Sequence, residues 1–460
     1  MSKTEKVPGS FRDPNGFLFK HDDGLFRQIN NVYRENYDLL MRSGLYEDLA
    51  SAGLLVRHEE SEQSPAEAET AYKVIQPEKV PYISYPFEWC FSQYRDAALC
   101  TLQIMKHALE KDMILKDASA YNIQFHHGKP ILIDTLSFEK YQEGLPWIAY
   151  RQFCQHFLAP LTLMALTDIR LNQLMRIYID GIPLDLTSSL LPGKSKLNLG
   201  LQAHIHLHAV AQKRYAGKDI KQVAQERRMS KMALTGLISS LETTVKGLSW
   251  KPEGTEWANY YSGTNYSDSA FLLKKKLLDE LIVKAKPESV WDLGANTGIF
   301  SRVSSSKGIS TVSFDIDPAA VEINYLEVKK NNDDYILPLV LDLTNPSPAI
   351  GWANNERTSF GQRAQVDLIL ALALVHHLAI SNNVPLTSLA DSFSSLAPKL
   401  IIEFVPKEDS QVQRLLVSRE DIFPEYNQDG FERAFKNYYH IKQALPIPDT
   451  KRTLYLMERR

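Results

Sequence analysis

The chain has 460 residues and a mass of 52.3 kDa, with 44% hydrophobic and 23% charged residues. This ordinary composition excludes wholesale disorder, collagen-like repeats and coiled coils, and the length is sufficient for two or three domains. The 52 basic and 55 acidic residues give a net charge of -3, and neither half of the chain has the basic excess typical of a nucleic-acid-binding domain.

Three features favour a soluble, cytoplasmic protein with no membrane partner. Cys90, Cys100 and Cys154 are far apart and form no CxxC pair, which is typical of a reducing compartment. Residues 1–9 are polar and lack the apolar core of a signal peptide. The best apolar run, 368–375, is far too short to cross a membrane.

The first 250 residues alternate between short strand-like patterns and longer patterns of helical period. The predicted elements are a strand pair over 17–29, a helix over 33–52, a polar loop over 58–69, a strand over 72–85, a helix over 87–111 and a hairpin over 122–134, with mostly helical sequence to about residue 248. Together they predict a mostly helical α+β accessory domain over residues 1–250.

Two acids and an amide surround the predicted hairpin. The pattern is Asp117, then Asn122 after four intervening residues, then Asp134 twelve residues on. It resembles the catalytic loop and metal-binding aspartate of kinase-like folds, particularly small-molecule phosphotransferases. The resemblance implies that Asp117 orients an acceptor hydroxyl and that Asn122 and Asp134 hold magnesium beside ATP.

The chain also departs from that family. It has no glycine-rich phosphate loop and no VAIK-like lysine, and Asp134-Thr135-Leu136 stands where the family has Asp-Phe-Gly. Asp and Asn also occur at turns because their side chains bond to their own backbone. We therefore favour a degenerate domain that recognises or presents a substrate, with phosphate transfer as the alternative.

A cluster of alternate histidines follows in the helical region. His204, His206 and His208 suggest a metal site, but no further Cys or Asp lies nearby to complete a tetrahedral set. On a helix only His204 and His208 share a face. The pattern therefore favours a structural role on a helix.

After a linker predicted over 251–269, strands and helices alternate. The predicted strands cover 289–293, 311–315, 336–341, 367–371 and 399–404, and a hairpin of 438–443 with 452–457 ends the chain. Strands joined by helical crossovers predict an α/β fold over 270–460, a Rossmann-like doubly wound sheet with an antiparallel terminal strand.

Three acids follow successive strands of this second half. Asp292 precedes a turn that contains Gly294 and Gly298, Asp315 ends the next strand, and Asp342 ends the third. Because the carboxyl ends of parallel strands share one edge, these acids converge on one crevice. The G-x-x-x-G spacing differs from the G-x-G-x-x-G dinucleotide fingerprint, and an acid at the strand end suits a ligand with an ammonium group.

Four motifs in this order, DLGANTG, FDID, LVLDL and VDLILALALVHHL, resemble the class I S-adenosylmethionine (SAM)-dependent methyltransferases. The alternative for the first turn is a plain strand–helix junction, and Asp317 is expected to be a helix N-cap beside Pro318. The resemblance implies SAM as the cofactor and no metal. The implied contacts are Asp292, Gly294, Asn296 and Gly298 for the methionine end, Asp315 for the ribose and Asp342 for the adenine.

Candidate proton-transfer and substrate residues follow the fourth and fifth strands. His376 and His377 lie near the mouth of the crevice, and either imidazole is a candidate base, with His377 preferred. A helix-start or packing role is the alternative for at least one of them. Glu403 either binds substrate or pairs with Lys407 or Arg414.

These features predict a SAM-dependent methyltransferase whose N-terminal domain presents the acceptor. The acceptor is a small molecule, a glycan or a protein, and the whole chain also looks similar to bacterial nodulation-type methyltransferases. The alternatives are a bifunctional protein whose N-terminal domain binds ATP and magnesium, and a non-catalytic SAM-binding scaffold. Tyr260, Tyr261 and Tyr266 either cover the sulfonium or pack in the linker.

Overall fold

A computed structural model describes most of the chain. Among the residues it describes, no helix combines the length and the apolarity that crossing a bilayer requires. The predicted linker tyrosines Tyr260, Tyr261 and Tyr266 lie outside the described residues. The described ranges are 4–210, 228–253, 268–417 and 420–460.

The chain divides into two compact units. The first comprises Met1–Trp250 with Ala349–Arg357, and the second comprises Lys251–Pro348 with Thr358–Arg460. Residues Ala349–Arg357, which we had assigned to the second domain from the sequence, therefore group with the first unit.

The strands of the first unit form a five-stranded antiparallel sheet and two separate pairs. The order in the sheet is β1-β2-β3-β5-β4, and β6 pairs with β9 and β7 with β8. The strands are β1 (Thr4–Lys6), β2 (Gly16–His21), β3 (Gly24–Asn30), β4 (His58–Glu60), β5 (Ala71–Pro77), β6 (Met113–Leu115), β7 (Ile123–His126), β8 (Lys129–Leu132) and β9 (Phe138–Lys140).

The core of the first unit lies around its longest helix, which presents aromatic and aliphatic side chains on several sides. Trp89 and Tyr94 make an edge-to-face contact at 5.3 Å and are fully buried. The helices are α1 (Arg34–Arg42), α2 (Leu45–Ser51), α3 (Phe91–Glu110), α4 (Tyr150–Phe153), α5 (Ala159–Leu166), α6 (Leu174–Ile177), α7 (Leu184–Leu190), α8 (Leu199–Leu201) and α9 (Lys231–Lys246).

The α+β class of this unit and its two predicted hairpins are confirmed, but two elements differ from prediction. The single helix predicted over 33–52 is the pair α1 and α2. Gly44 has φ +77°, a left-handed conformation that interrupts helical hydrogen bonding and that glycine adopts without strain. The predicted polar loop over 58–69 begins with β4, because His58 pairs with Pro77 of β5.

The second unit contains a seven-stranded sheet of order β12-β11-β10-β13-β14-β16-β15. The first five strands in that order are parallel, and β16 is antiparallel to both of its neighbours. The predicted doubly wound sheet with an antiparallel terminal strand is confirmed. The strands are β10 (Ser289–Leu293), β11 (Ser310–Asp315), β12 (Ile336–Val340), β13 (Leu368–Ala371), β14 (Lys399–Phe404), β15 (Tyr439–Pro446) and β16 (Thr453–Arg459).

Burial explains the near-continuous apolar sequence of the central strands. All residues of β13 are buried, as expected for a parallel strand that has helices on both faces. Asp317 caps the helix that follows β11, where its side chain accepts a hydrogen bond from the Ala319 amide at 2.8 Å, as predicted. The helices are α10 (Asp268–Ala285), α11 (Ser301–Ser305), α12 (Pro318–Asn331), α13 (Leu386–Leu396), α14 (Ser410–Leu416) and α15 (Gln428–Lys436).

Candidate active site

A cavity of about 310 Å³ lies at the carboxyl ends of the parallel strands of the second unit. Its walls come from the turn after β10, the residues that end or follow β11, β12 and β13, and one side of α10. This volume is within the range of small-molecule sites, roughly 300–1,000 Å³. The position is the topological switch point at which doubly wound sheets bind ligands.

The turn after β10 brings bare backbone to the cavity wall. Gly294 has φ +77°, and a Cβ there would lie only 3.1 Å from Cδ1 of Leu374, which also lines the cavity. The amides of Gly294 and Ala295 both donate to the Phe314 carbonyl at 2.9 Å. Asn296 also lines the cavity and has φ +50°. Glycine at position 294 therefore permits the tight turn and keeps the wall open to a ligand.

Asp292 is a buried acid on the cavity wall. Its side chain accepts a hydrogen bond from Ser301 Oγ at 2.6 Å, and the residue is only 1% exposed. Burial raises its pKa to about 7, against the opposing effects of the Ser301 hydrogen bond and the positive charge of Lys274. The nearby carboxyl of Asp315 raises it further. A cation bound beside Asp292 would stabilise its ionised form.

Asp315 and Asp342 also line the cavity. Asp315 accepts hydrogen bonds from the Asn296 amide at 2.7 Å and the Asp317 amide at 2.9 Å, and burial raises its pKa to about 6. Each carboxylate oxygen retains a lone pair that can accept a ligand hydroxyl. Asp342 is half-buried and accepts from the Thr344 amide at 2.8 Å.

Gly298 does not line the cavity, unlike the other residues that we assigned to the cofactor. It has φ +75°, and a Cβ there would overlap the side-chain amide of Asn324 in α12. That amide is fixed by its hydrogen bond to Ser313 Oγ at 2.9 Å. The second glycine of the turn therefore permits the close packing of α12.

The two adjacent histidines occupy different environments. His377 lines the cavity and begins a π-helical turn, His377–Ser381. Burial, with a contribution from Arg452, lowers its pKa to about 4. His376 is fully buried and off the cavity, and within the described chain neither ring nitrogen has a hydrogen-bond partner. This position does not support His376 as the base.

A buried charge network adjoins the cavity, and sequence reasoning missed most of it. Lys274 lines the cavity from α10, and its Nζ lies 2.6 Å from Glu403 Oε2. Arg452 Nη1 lies 3.4 Å from Glu403 Oε1, and Arg452 Nε lies 2.7 Å from Asp409 Oδ2. All four side chains are almost fully buried. Lys274 is one of four lysines in α10, and nothing in the sequence distinguishes it from the others as the one that reaches Glu403.

The predicted partners of Glu403 are therefore wrong. We expected Lys407 or Arg414, but the ion pairs of Glu403 are with Lys274 and Arg452. Lys407 instead pairs with Asp421 at 2.7 Å. Lys407 lies on the loop beyond β14 and Arg414 in α14, whereas Glu403 is buried within β14, where Lys274 and Arg452 reach it from elements distant in sequence.

In the first unit, the three residues of the kinase-like pattern come together. The Ile133 amide donates to the Asn122 carbonyl at 2.9 Å, beside Asp134. Burial raises the pKa of Asp117, and the negative charge of Asp134 raises it further. Asp134, however, binds Arg27 Nη1 at 2.6 Å and also accepts hydrogen bonds from the backbone and side chain of the following turn. A guanidinium thus holds the carboxylate that the resemblance assigned to magnesium, so the arrangement does not fit an ATP–magnesium site.

The alternate histidines are helical and structural, as predicted. His204 Nδ1 lies 2.7 Å from Tyr150 Oη and His204 Nε2 lies 2.9 Å from Ser240 Oγ. His206 Nδ1 lies 2.8 Å from Ser188 Oγ. Hydroxyl groups therefore satisfy these imidazoles inside the helical region.

No family model matches the chain. The chain is 35% identical over 460 residues to the nodulation protein NoeA of Rhizobium meliloti strain 1021, and the match covers 99% of this chain and 96% of NoeA. The chain belongs to the NoeA family.

Solved structures similar to the chain cover about half of it. The PH0226 protein of Pyrococcus horikoshii OT3 is 16% identical, with a TM-score of 0.33, over 45% of this chain and 100% of that protein. Magnesium protoporphyrin IX methyltransferase of Synechocystis PCC 6803, solved with bound S-adenosylhomocysteine, is 14% identical, with a TM-score of 0.32, over 44% and 93%.

Proposed function

We propose that this member of the NoeA family is a SAM-dependent methyltransferase and that its second unit carries the active site. The cavity is the observation that carries the proposal. Asp292, Asp315 and Asp342 line it, each within two residues of the carboxyl end of one of three adjacent parallel strands. Together with the strand order and the glycine turn, these acids match the donor set that an adenosyl ligand with a charged amino-acid end requires.

Each acid would recognise a different part of the cofactor. Asp292 would bind the ammonium group, Asp315 would accept hydrogen bonds from the ribose hydroxyls, and Asp342 would meet the adenine amino group. Lys274 lines the cavity near Asp292 and would bind the carboxylate of the methionine moiety. When bound, SAM supplies an electrophilic methyl group on a cationic sulfonium.

The remaining wall of the cavity would hold the acceptor. Leu374, Leu378 and Leu415 line it together with His377. These apolar side chains would exclude water from the reacting groups. A pKa of about 4 makes His377 neutral at physiological pH but a weak base. Its proposed role is therefore to accept a hydrogen bond from the acceptor and to orient the acceptor lone pair.

The first unit would recognise or present the acceptor, which we propose to be a small molecule, a glycan or a protein of the cytoplasm. The kinase-like residues favour this role over phosphate transfer because Arg27 neutralises Asp134. In this proposal Asp117 and Asn122 would contact the substrate without metal chemistry.

Calorimetric titration of the full chain with SAM tests the cofactor assignment. We expect micromolar affinity that Asp315→Ala abolishes. Asp391→Asn is the matched control, because Asp391 is an exposed acid of the same unit and lies outside the cavity. An absence of SAM binding by the folded wild-type protein would refute the proposal.

Turnover is tested separately with extracts of the source organism and methyl-labelled SAM. Mass spectrometry should find a labelled product that depends on the wild-type chain and disappears with Asp315→Ala. Binding of SAM without any labelled product in extract would favour a non-catalytic scaffold instead.

A further inference from the structure

The first unit contains a second group of residues with metal-binding chemistry, at the turn of the β7–β8 hairpin. Glu78 directly follows β5, His126 ends β7, and His127 begins the turn. His126 Nε2 lies 3.3 Å from Glu78 Oε1. One donor atom from each of the three residues lies within 4.8 Å of those of the other two. Residues 48 positions apart in sequence therefore meet at what we call the hairpin site.

The conformation of the turn places both histidines on the same side. Consecutive side chains of a strand point to opposite faces, which would separate His126 from His127. His127 instead has φ +49° and Gly128 has φ +69°. The two imidazole centroids consequently lie 4.0 Å apart. A positive φ is unusual for histidine, and asparagine adopts it more readily.

The donor geometry is close to that of a tetrahedral metal. Metal–ligand bonds of roughly 2.0–2.1 Å place two donors of a tetrahedron about 3.3–3.4 Å apart. The separation between His126 and Glu78 already has this value. The His126 side chain is only 13% exposed, so its packing fixes it in place. His127 is exposed, and its donor atom lies within 4.8 Å of those of His126 and Glu78.

We propose that Glu78, His126 and His127 bind a divalent transition metal such as zinc. Two imidazoles and one carboxylate are the donors that zinc, cobalt, nickel and copper prefer, whereas magnesium and calcium prefer oxygen donors alone. Three protein ligands leave a fourth position for water. This site is separate from the cavity of the second unit. Refutation of the metal-site proposal would therefore leave the methyltransferase proposal unaffected, and the reverse also holds.

A metal at the hairpin site would act as a clip within the first unit. The Glu78 amide donates to the Arg57 carbonyl at 2.8 Å, so the backbone of this ligand is tied to the edge of the five-stranded sheet. The histidines belong to the β7–β8 hairpin, which is a separate strand pair. A bound metal would therefore link Glu78, at the end of β5, to the β7–β8 hairpin and would slow the separation of the sheet from the hairpin.

The test is titration of the full chain, free of any affinity tag, with zinc by calorimetry and with cobalt by visible absorption. We expect one equivalent to bind with a micromolar dissociation constant, with the absorption of a four-coordinate cobalt site. His127→Asn and Glu78→Ala should each weaken binding at least tenfold. His127→Asn keeps a residue that tolerates the positive φ, so the turn is retained while the ligand is lost.

The control is His440→Ala, because His440 is an exposed histidine of the second unit and should leave the affinity unchanged. Zinc should also raise the melting temperature of the wild-type chain but not that of His127→Asn. Failure of the wild type to bind either metal, or binding that both ligand variants leave unchanged, would overturn the proposal.

Discussion

The buried acid Asp292 makes SAM affinity depend on pH in a direction that can be calculated. Its pKa of about 7 means that Asp292 is about half ionised at pH 7 but only about 3% ionised at pH 5.5. In the proposed assignment the cofactor ammonium would bind the ionised form, so affinity should rise about 16-fold between pH 5.5 and pH 7 from this group alone. Asp315, with a pKa of about 6, contributes in the same direction. The charged groups near Asp292 are Lys274, which belongs to α10, and Asp315, which ends β11.

The assay is calorimetry below pH 7, where a free α-amino group, with a pKa of roughly 7.7–8.0, stays protonated. At pH 7, binding should release about half a proton, visible as a difference between buffers of different ionisation enthalpy. Asp292→Asn should lower the affinity at pH 7 and leave only the shallower dependence due to Asp315. Ser301, which donates to Asp292, can still donate to the amide oxygen of the variant. A wild-type affinity that is constant over this range, or a slope that Asp292→Asn leaves intact, would refute the reasoning.

Asp292→Asn, which should weaken SAM binding, should stabilise the unliganded protein. The folded state holds the Asp292 proton more tightly than the unfolded chain, in which the ordinary pKa is 3.8. Ionisation of Asp292 therefore costs stability, and the free energy of unfolding should fall as pH rises from about 4 to 7. Asp292→Asn removes the cost, so the unliganded variant should melt at a higher temperature than the wild type at pH 7.5. A lower melting temperature would contradict the assigned burial effect.

Three further substitutions test single contacts. Gly298→Ala should destabilise the chain by about 1–3 kcal/mol, because position 298 has a positive φ and the added Cβ would overlap α12. Gly236→Ala is the control, since Gly236 lies in a helix with open space around it, and it should stabilise the chain by about 0.5–1 kcal/mol. Melting temperatures of the two variants that move in the same direction would contradict this. Lys274→Met should lower the affinity for SAM about tenfold in calorimetry but leave the affinity for decarboxylated SAM unchanged. Lys276 is exposed on the same helix, so Lys276→Met should change neither affinity. Equal losses of affinity for both ligands in Lys274→Met would exclude carboxylate binding by Lys274. His377→Ala should lower kcat about 10- to 100-fold without changing the affinity for SAM. Because the pKa of His377 is about 4, the wild-type rate should show no inflection near pH 6.5. A normal rate in the variant would contradict the proposed role of His377.

The architecture of the second unit could be predicted because each part of it depends on local sequence. Strands buried on both faces must be apolar throughout, and strands joined by helices must be parallel. An acid at the end of each of three adjacent strands then necessarily faces one edge of the sheet. The positions of Asp292, Asp315 and Asp342 at one cavity follow from that rule, without knowledge of any side-chain contact.

Contacts between distant elements could not be predicted in the same way. Glu403 meets Lys274, 129 residues earlier, because α10 packs over β14, and no spacing in the sequence encodes that distance. Which of the adjacent residues His376 and His377 lines the cavity depends on the local backbone, where His377 begins a π-helical turn and His376 is buried beside it. The kinase-like pattern likewise remained intact in sequence, whereas only the packing of β3 revealed that Arg27 binds Asp134.

The sequence by itself thus determined the order of the strands and helices in the second unit and the edge of the sheet at which its acids gather, since hydrophobic period and chain connectivity are local properties. Only the tertiary structure decided which charges are paired, which imidazole lines the cavity and which glycine contacts α12. Those outcomes depend on atoms brought within a few ångströms by the packing of elements far apart in the chain, and a buried charge is stabilised only by the partner that packing supplies.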